Sequence, residues 1–321
     1  MIRYIIRRMF MKTDYDVLII GGGAAGLTAA QYAARANLNV AVVEEMAPGG
    51  QCLIIADLEN YPGFPEPISG IEFSERFEKQ ARNFGANFIT ATVNGVEKKE
   101  KHFTVTTSKG EITSLTVIVA TGAKHRHLGI PGEKEFSGRG VSYCATCDGP
   151  FFRNKKILVV GGGDAACDEA MYLSKLTDQV IMVHRRDRFR AQKSLAQRVE
   201  ANSNIEIRFN TELKEIKGSM KVEKVELFNK LSEKSTEEEM DAVFIFVGSD
   251  PQTALLPEVA KDEAGYVICN HCMETDIPGL YAVGDVRNTP FRQLVVAASD
   301  GAIATHCASQ YIDELQGQSY D

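Results

Sequence analysis

GGGAAGLTAAQYAARANLNVAVVEE at residues 21–45 and GGGDAACDEAMYLSKLTDQVIMVHR at residues 161–185 are one pattern written twice, in register without a gap at an offset of 140. Each copy is preceded by a short apolar run, VLII at 17–20 or ILVV at 157–160, and closes on a second, VAVV or VIMV. Four-residue apolar runs beside glycine read as buried strands, and the Ala-rich segment between them reads as a helix. The unit is therefore strand, helix, strand, with Gly-x-Gly at the first turn, where dinucleotide binding requires it. Gly21 and Gly161 allow the tight turn, and Gly23 and Gly163 let the backbone approach a pyrophosphate resting on helix N–H groups. The third position lets helix pack on strand; it is Gly26 in the first copy and Ala166 in the second, a replacement compatible with NADP-type sites. A single Gly-x-Gly is a weak signal, but two in register with the same flanks specify two nucleotide-binding units.

The end of the second strand reads the adenosine ribose, and here the copies diverge. Glu44 and His184 hold equivalent places, each 23 residues after the first glycine. A carboxylate such as Glu44 accepts hydrogen bonds from ribose hydroxyls, as FAD or NAD offers them. The second copy continues instead as His184, Arg185, Arg186, with Arg188 and Arg190 close behind. Guanidinium groups grip phosphate in a bidentate fork, so this cluster predicts a 2′-phosphate and hence NADPH.

Outside the repeat, LTVIVATG (115–122) closes the first half, AVFIFVG (242–248) closes the second, and LYAVGD (280–285) precedes a helix expected from about Leu294 to Leu315. The fold class is thus α/β, with two Rossmann-like three-layer nucleotide-binding domains, the second inserted into the first. The boundaries expected are 11–125 for the first part of an FAD-binding domain, 126–250 for an NADPH-binding domain carrying a dithiol, and 251–321 for the return to the FAD-binding domain. Crossings near 124–128 and 249–253 would form a two-strand hinge.

At 321 residues, 44% hydrophobic, the chain can build two ordinary cores. A formal charge of -7 disfavours nucleic acid, whose phosphates demand a basic face, and no run reaches the length of a membrane span. The opening MIRYIIRRMF is too short and too interrupted for a signal peptide, and Met11, next to a complete nucleotide-domain start, is the expected natural beginning. Seven cysteines without an export signal do not suit a structural disulfide framework and imply a reducing cytoplasm.

In that compartment a close cysteine pair is catalytic or a metal ligand, and Cys144-Ala145-Thr146-Cys147 is such a pair. CxxC spacing lets two sulfurs cycle between dithiol and disulfide, whereas zinc would need a second ligand pair. Asp148 beside them can carry the protons of thiolate formation, or serve as the turn residue of Asp-Gly.

CATCDG, GGGDAACDEA, HRRDRFRA and the closing GDVRN with PFRQLVVAASDG together resemble the low-molecular-weight thioredoxin reductases, over residues 13 to 316. The resemblance implies a homodimeric, cytoplasmic flavoprotein in which NADPH reduces FAD, FAD reduces a Cys144–Cys147 disulfide, and the dithiol reduces thioredoxin. Cys147 would face the flavin and Cys144 the partner. FAD would be held by Gly21, Gly23, Gly26, Glu44, Gln51, Asn60, Val93, Thr121, Gly122, Asp285, Arg292 and Gln293. NADPH would be held by Gly161, Gly163, His184, Arg185, Arg186 and Arg190. Arg139 and the Phe151–Phe152 pair are candidates for a partner groove, with ordinary core packing an equal expectation for the two phenylalanines.

The chain departs from the family at Cys269-Asn270-His271-Cys272, a second CxxC where the family does no chemistry. Two thiols and an imidazole fall short of a zinc site, so a surface coincidence is expected there. Cys52 and Cys167 read as packing residues. A peroxiredoxin reductase or a small-molecule dithiol oxidoreductase on the same scaffold is the alternative; the former usually carries an added thioredoxin-like region, and the latter has no need of the arginine cluster. A ferredoxin-driven reductase is disfavoured for the same reason as the latter. A redox-sensing binding protein with vestigial nucleotides conflicts with the completeness of the motifs.

Overall fold

A computed structural model describes residues 13–55, 58, 60–256 and 258–317. The expectation for residues 1–10 lies outside them. The chain forms two compact units, one of residues 1–124 with 250–321 and one of residues 125–249.

In the first unit Tyr15–Ile20 (β1), Val40–Glu44 (β2), Asn87–Thr90 (β3), Val93–Lys98 (β4), Phe103–Thr107 (β5) and Gly110–Val119 (β6) form one sheet in the order β3-β2-β1-β6-β5-β4. β1 runs parallel to both β2 and β6, with Val17 opposite Val40 and Thr116. β6 is longer than its apolar run suggests: its first half pairs antiparallel with β5, Phe103 facing Ser114. The helices Ala24–Arg35 (α1) and Gly70–Asn83 (α2) follow; Ser69 caps α2 by accepting the Glu72 N–H at 3.2 Å.

The strands of this sheet are apolar on both faces because both are covered. Val17, Ile19, Val40, Val42 and Ile118 share one core with the alanines of α1, while Leu18, Ile20, Val43, Val117 and Val119 share another with Phe103, Leu256, Val267 and Val286. The alternation is the period of two that a pleated strand imposes. α1 is Ala-rich because it lies between the sheet and the last helix of the chain, where Thr305 Oγ1 reaches the Ala29 carbonyl at 3.1 Å.

Ala123–His125 (β7) leads into the second unit. There Val141–Ser142 (β8), Ile157–Gly161 (β9) and Val180–His184 (β10) join Ile205–Phe209 (β11) and, later in the chain, Ala242–Phe246, in a parallel sheet. Ala145–Asp148 (α3), Asp164–Leu173 (α4) and Lys193–Glu200 (α5) supply its helices. A feature not anticipated from the sequence covers the other face: Thr211–Gly218 (β12), Val222–Asn229 (β13) and Lys234–Glu239 (β14) form an antiparallel sheet. Leu213, Ile216, Val225 and Leu227 turn inward onto Leu158, Ile181 and Val243 of the parallel strands. The layers are helices, parallel sheet and antiparallel sheet, with Ala242–Phe246 as β15.

Ser249–Pro251 (β16) returns the chain and pairs with β7, and Leu280–Ala282 (β17) adds to the free half of β6. Leu294–Leu315 (α6) closes the fold at the limits its apolar spacing indicates. This is the α/β architecture of two Rossmann-like units that the repeat implied.

Candidate functional site

In the first unit the glycine turn is shaped by contact. Gly21 has φ +104°, and a Cβ there would sit 2.4 Å from the Ala120 carbonyl oxygen. A Cβ on Gly26 would lie 2.0 Å from the Gly21 carbonyl oxygen, so the third position needs glycine for packing. Gly23 differs: nothing lies within 4 Å of where its Cβ would point, and it begins α1 without any side-chain cap. A helix N-terminus with open space before it and uncapped N–H groups is what a pyrophosphate needs. At the end of β2, Glu44 Oε2 accepts the Gly22 N–H at 2.7 Å and Oε1 the Met46 N–H at 3.2 Å.

Several other residues expected at this site come together. Thr121 Oγ1 donates to the Gln252 carbonyl at 2.8 Å, Gln252 Nε2 donates to the Thr121 carbonyl at 2.5 Å, and the Gln252 N–H to the Gly122 carbonyl at 2.9 Å. Gln51 Nε2 reaches the Ala123 carbonyl at 2.8 Å, and Asn60 Nδ2 donates to Gln293 Oε1 at 2.9 Å. Arg292 lies over the Tyr266 ring, 4.0 Å from its centre. Val93 opens β4 with its side chain against the apolar core. Asp285 sits in a one-turn helix after β17; burial pushes its carboxyl up, Arg292 pulls it down, and Asp300 adds to the rise.

Two residues of this unit escaped the sequence reading. Asp300 is 3% exposed and takes Arg287 in a bidentate pair, 2.7 and 3.1 Å, while its Oδ2 also accepts the Gly284 N–H at 3.0 Å. It holds the turn that carries Asp285. Gln252 is the other. Both are single polar letters in long apolar or loop segments, and only the fold gives them partners.

In the second unit Gly163 begins α4, again uncapped and with open space at its Cβ position. The His184 ring lies against Gly162, whose Cβ would come within 2.4 Å of Nδ1, and it stacks on Phe189. Its Nε2 is buried without a hydrogen-bond partner. Burial first, then Arg186, Arg185 and Arg190, hold this imidazole below its ordinary pKa, so it is neutral near pH 7. A cleft of about 750 Å³ is lined by Arg186, Arg188, Phe189, Arg190 and Asn210 among others. Arg185 is exposed and is not among its lining residues, whereas Arg188, left out of the expected ligand set, is. Three guanidinium groups around an open cleft suit a dianionic phosphate.

The dithiol motif starts at Cys144, the residue before α3, and runs into that helix of the same unit. Cys144 is disulfide-bonded and half-buried. Its N–H donates to Ser142 Oγ at 3.1 Å, and its carbonyl accepts the Asp148 N–H at 3.2 Å, so Asp148 stands one turn on. The Cys147 backbone lies within α3; its side chain is outside what is described. Beneath α3, Glu169 of α4 accepts a hydrogen bond from the Ala145 N–H, and its Oε2 is buried without a partner. Burial raises this carboxyl to about 7.

Ahead of Cys144, Tyr143 hydroxyl donates to Glu133 Oε1 at 2.7 Å and lies 2.7 Å from His127 Nδ1. Burial would raise Glu133, but the N–H groups of Leu128 and Gly129 and the tyrosine hydroxyl hold it below the usual range. Of the two phenylalanines after the motif, Phe152 packs edge-on to Phe244, and Phe151 is 80% exposed. Arg139 is held by the Glu135 carbonyl and lies over Phe136.

Cys269 and Cys272 are both free, half-buried thiols. Cys269 is half-buried, bonds to the Ala282 carbonyl, and is pushed up to about 11 by burial. Among the described residues no group of three His, Cys, Asp or Glu side chains could hold a metal, and no helix is long and apolar enough to cross a membrane. Cys52 and Cys167 are packed thiols, 2% and 0% exposed.

The family model described as "Pyridine nucleotide-disulphide oxidoreductase" matches residues 15–301. The thioredoxin reductase of Treponema pallidum (strain Nichols) is 54% identical over 306 residues, covering 95% of this chain and 100% of that one. The crystal structure of Lactococcus lactis thioredoxin reductase is similar with a TM-score of 0.91 at 42% identity, covering 94% of this chain and all of that one. That of T. acidophilum thioredoxin reductase gives 0.88 at 34%, covering 95% and 100%. With two nucleotide folds, a disulfide-bonded Cys144 and these relatives, the chain belongs to the pyridine nucleotide-disulphide oxidoreductases, and within them to the thioredoxin reductases of low molecular weight.

Proposed function

We propose that this oxidoreductase uses NADPH and FAD to reduce the disulfide of thioredoxin, through a redox pair of Cys144 and Cys147. The observation that carries the reading is the disulfide at Cys144, the residue before α3, in the same unit as a cleft walled by Arg186, Arg188 and Arg190. FAD and NADPH, when bound, supply the two-electron chemistry that converts the pair from disulfide to dithiol. FAD fits the first unit, where Gly23 leaves space at the start of α1 and Glu44 stands at the ribose position. NADPH fits the second, where His184 Nε2 lacks a partner beside the arginines.

Of the chain's own residues, Cys144 attacks the partner's disulfide and Cys147 resolves the mixed disulfide, so that two cysteines end oxidised and two partner thiols are released. Asp148, one turn beyond Cys144, takes and returns the proton. The exposed Phe151 offers an apolar contact for the protein partner. The chain passes between its units only at 124/125 and 249/250. A rotation about these crossings would let the nicotinamide site and the dithiol alternate at one flavin. A cytoplasmic homodimer is the assembly proposed.

The test is oxidation of NADPH by the purified enzyme in the presence of a thioredoxin. Turnover that requires thioredoxin and vanishes in Cys144→Ser is expected, with NADH a poor substitute. If the enzyme reduces its flavin normally yet no thioredoxin is turned over, the substrate is wrong. Equal use of NADH would remove the role given to the arginines.

A further inference from the structure

The cleft at the arginines has an apolar side that phosphate does not use. Among its described lining residues the apolar ones are Phe189 and Leu231, and they stand differently. Phe189 is engaged within the protein: it stacks on His184 at 6.3 Å between centroids and meets Phe209 edge-on at 4.9 Å. Leu231 comes from the tip of the β13–β14 hairpin and is 79% exposed. We propose that this hairpin tip is the base-recognising wall of the cleft, and that Leu231 determines specificity by lying against the flat face of a purine whose ribose bears the 2′-phosphate. The proposal rests on the cleft being the NADPH site.

The tip is built to stand there. Asn229 pairs with Thr211 on one side and Lys234 on the other, so the ladders close at Asn229 and leave Lys230–Glu233 as the loop. Asn229 Oδ1 accepts the Leu231 N–H at 3.0 Å, the Ser232 N–H at 3.0 Å and the Ser232 hydroxyl at 3.2 Å, which fixes the backbone that carries Leu231. Glu233 leaves the loop at a left-handed φ of +55°, a conformation that a residue with a Cβ holds only when its surroundings impose it. Lys230 Nζ also meets Glu212 Oε1 of β12 at 3.1 Å. Two main-chain hydrogen bonds then join the tip to the arginine loop. The Lys230 N–H donates to the Asn210 carbonyl at 2.8 Å, and the Asn210 N–H donates to the Arg186 carbonyl at 2.9 Å. Leu231 and Arg186 are thus carried on one connected backbone, facing the same space.

The chemistry of the ligand assigns the roles. Guanidinium groups take the 2′-phosphate, and the base is bonded to the same sugar, so both must be housed together. A purine face leaves water favourably only against apolar surface. Phe189 is already packed between His184 and Phe209, which leaves Leu231 as the open apolar contact. Leucine offers no hydrogen bond. The contact therefore favours any purine nucleotide over a phosphate without a base, and does not separate adenine from hypoxanthine.

The test is titration calorimetry of the full-length, FAD-loaded enzyme with adenosine 2′,5′-bisphosphate and, as a probe without a base, inorganic pyrophosphate. Leu231→Ser should bind the bisphosphate about 5- to 20-fold more weakly than the wild type, the value of one partly covered leucine. Pyrophosphate should bind both alike, and Leu231→Met, which keeps an apolar side chain, should restore the affinity. Because Leu231 is exposed, the three proteins should melt together. Unchanged bisphosphate affinity in Leu231→Ser, or an equal loss for pyrophosphate, would overturn the proposal. A wild type that binds 5′-AMP as tightly as the bisphosphate would have no 2′-phosphate site, which removes NADPH as the coenzyme; the Leu231→Ser loss, measured on 5′-AMP, then still decides whether the tip holds the base.

Discussion

Glu44 and Gly22 are joined by a 2.7 Å hydrogen bond from the glycine N–H to Oε2, which ties the end of β2 to the phosphate turn. With Oε1 accepting the Met46 N–H, the carboxylate is oriented by backbone on both sides and keeps lone pairs for a ribose. Hydrogen bonds to a charged acceptor are worth about 1.5–3 kcal/mol, so Glu44→Ala should weaken FAD binding by about 10- to 100-fold. The enzyme should purify with a low ratio of flavin to protein absorbance. Glu44→Gln, which keeps an acceptor, should fall between. Full flavin occupancy in Glu44→Ala would show that the ribose is held elsewhere.

Gly23 and Gly26 look alike in the motif but do different work. At Gly26 a methyl group would strike the Gly21 carbonyl at 2.0 Å, whereas at Gly23 it meets nothing within 4 Å. Gly26→Ala should therefore destabilise the apoprotein by about 1–3 kcal/mol, the usual cost of overpacking. Gly23→Ala should leave apoprotein melting unchanged and instead obstruct the cofactor, as loss of bound flavin. Thermal melts of the two apoproteins beside their flavin content separate the roles, and equal melting losses would refute the division.

What could be read from the chain follows from periodicity. The two strand–helix–strand units and α6 were legible because each carries its own apolar period, and the positions of Glu44 at the end of β2 and of the arginines just after β10 because they stand at fixed offsets from glycine. β14 was not legible: Lys234–Glu239 is KSTEEE, a charged and mostly exposed strand held by ladder bonds to β13 and by Lys224 and Lys217 pairing with Glu237. Asp300 and Glu169 were hidden for another reason. Each depends on a partner at least 13 positions away, and nothing in the local pattern points to it.

The cleft at His184 predicts a selective effect on one coenzyme. Arg186 and Arg190 line it and both depress the neighbouring imidazole. Arg186→Ala or Arg190→Ala should raise KM for NADPH by about 10- to 100-fold, the value of one lost charge-assisted contact, with little change in kcat. KM for NADH should hardly move, since it has no 2′-phosphate. Raised salt should reproduce part of the loss in the wild type. Arg185→Ala, outside the lining, should do less. A parallel rise for both coenzymes would point to misfolding of the loop.

Glu169 adds a pH dependence to stability whose sign is set by burial. Its folded pKa of about 7 lies above the ordinary 4.5, so between those values the folded protein holds a proton that the unfolded chain has lost. The contribution is complete below pH 4.5 and is lost as pH rises through 7. Over that window it amounts to about 3 kcal/mol. Glu169→Gln keeps an acceptor for the Ala145 N–H but cannot ionise, so its stability should fall less between pH 5 and pH 8 than that of the wild type. Denaturant unfolding of both proteins across that range gives the comparison, and parallel curves would mean that Glu169 ionises freely. Because Ala145 opens the helix of the CATC motif, the same substitution should leave the disulfide at Cys144 able to form while flattening any change in its reactivity near pH 7.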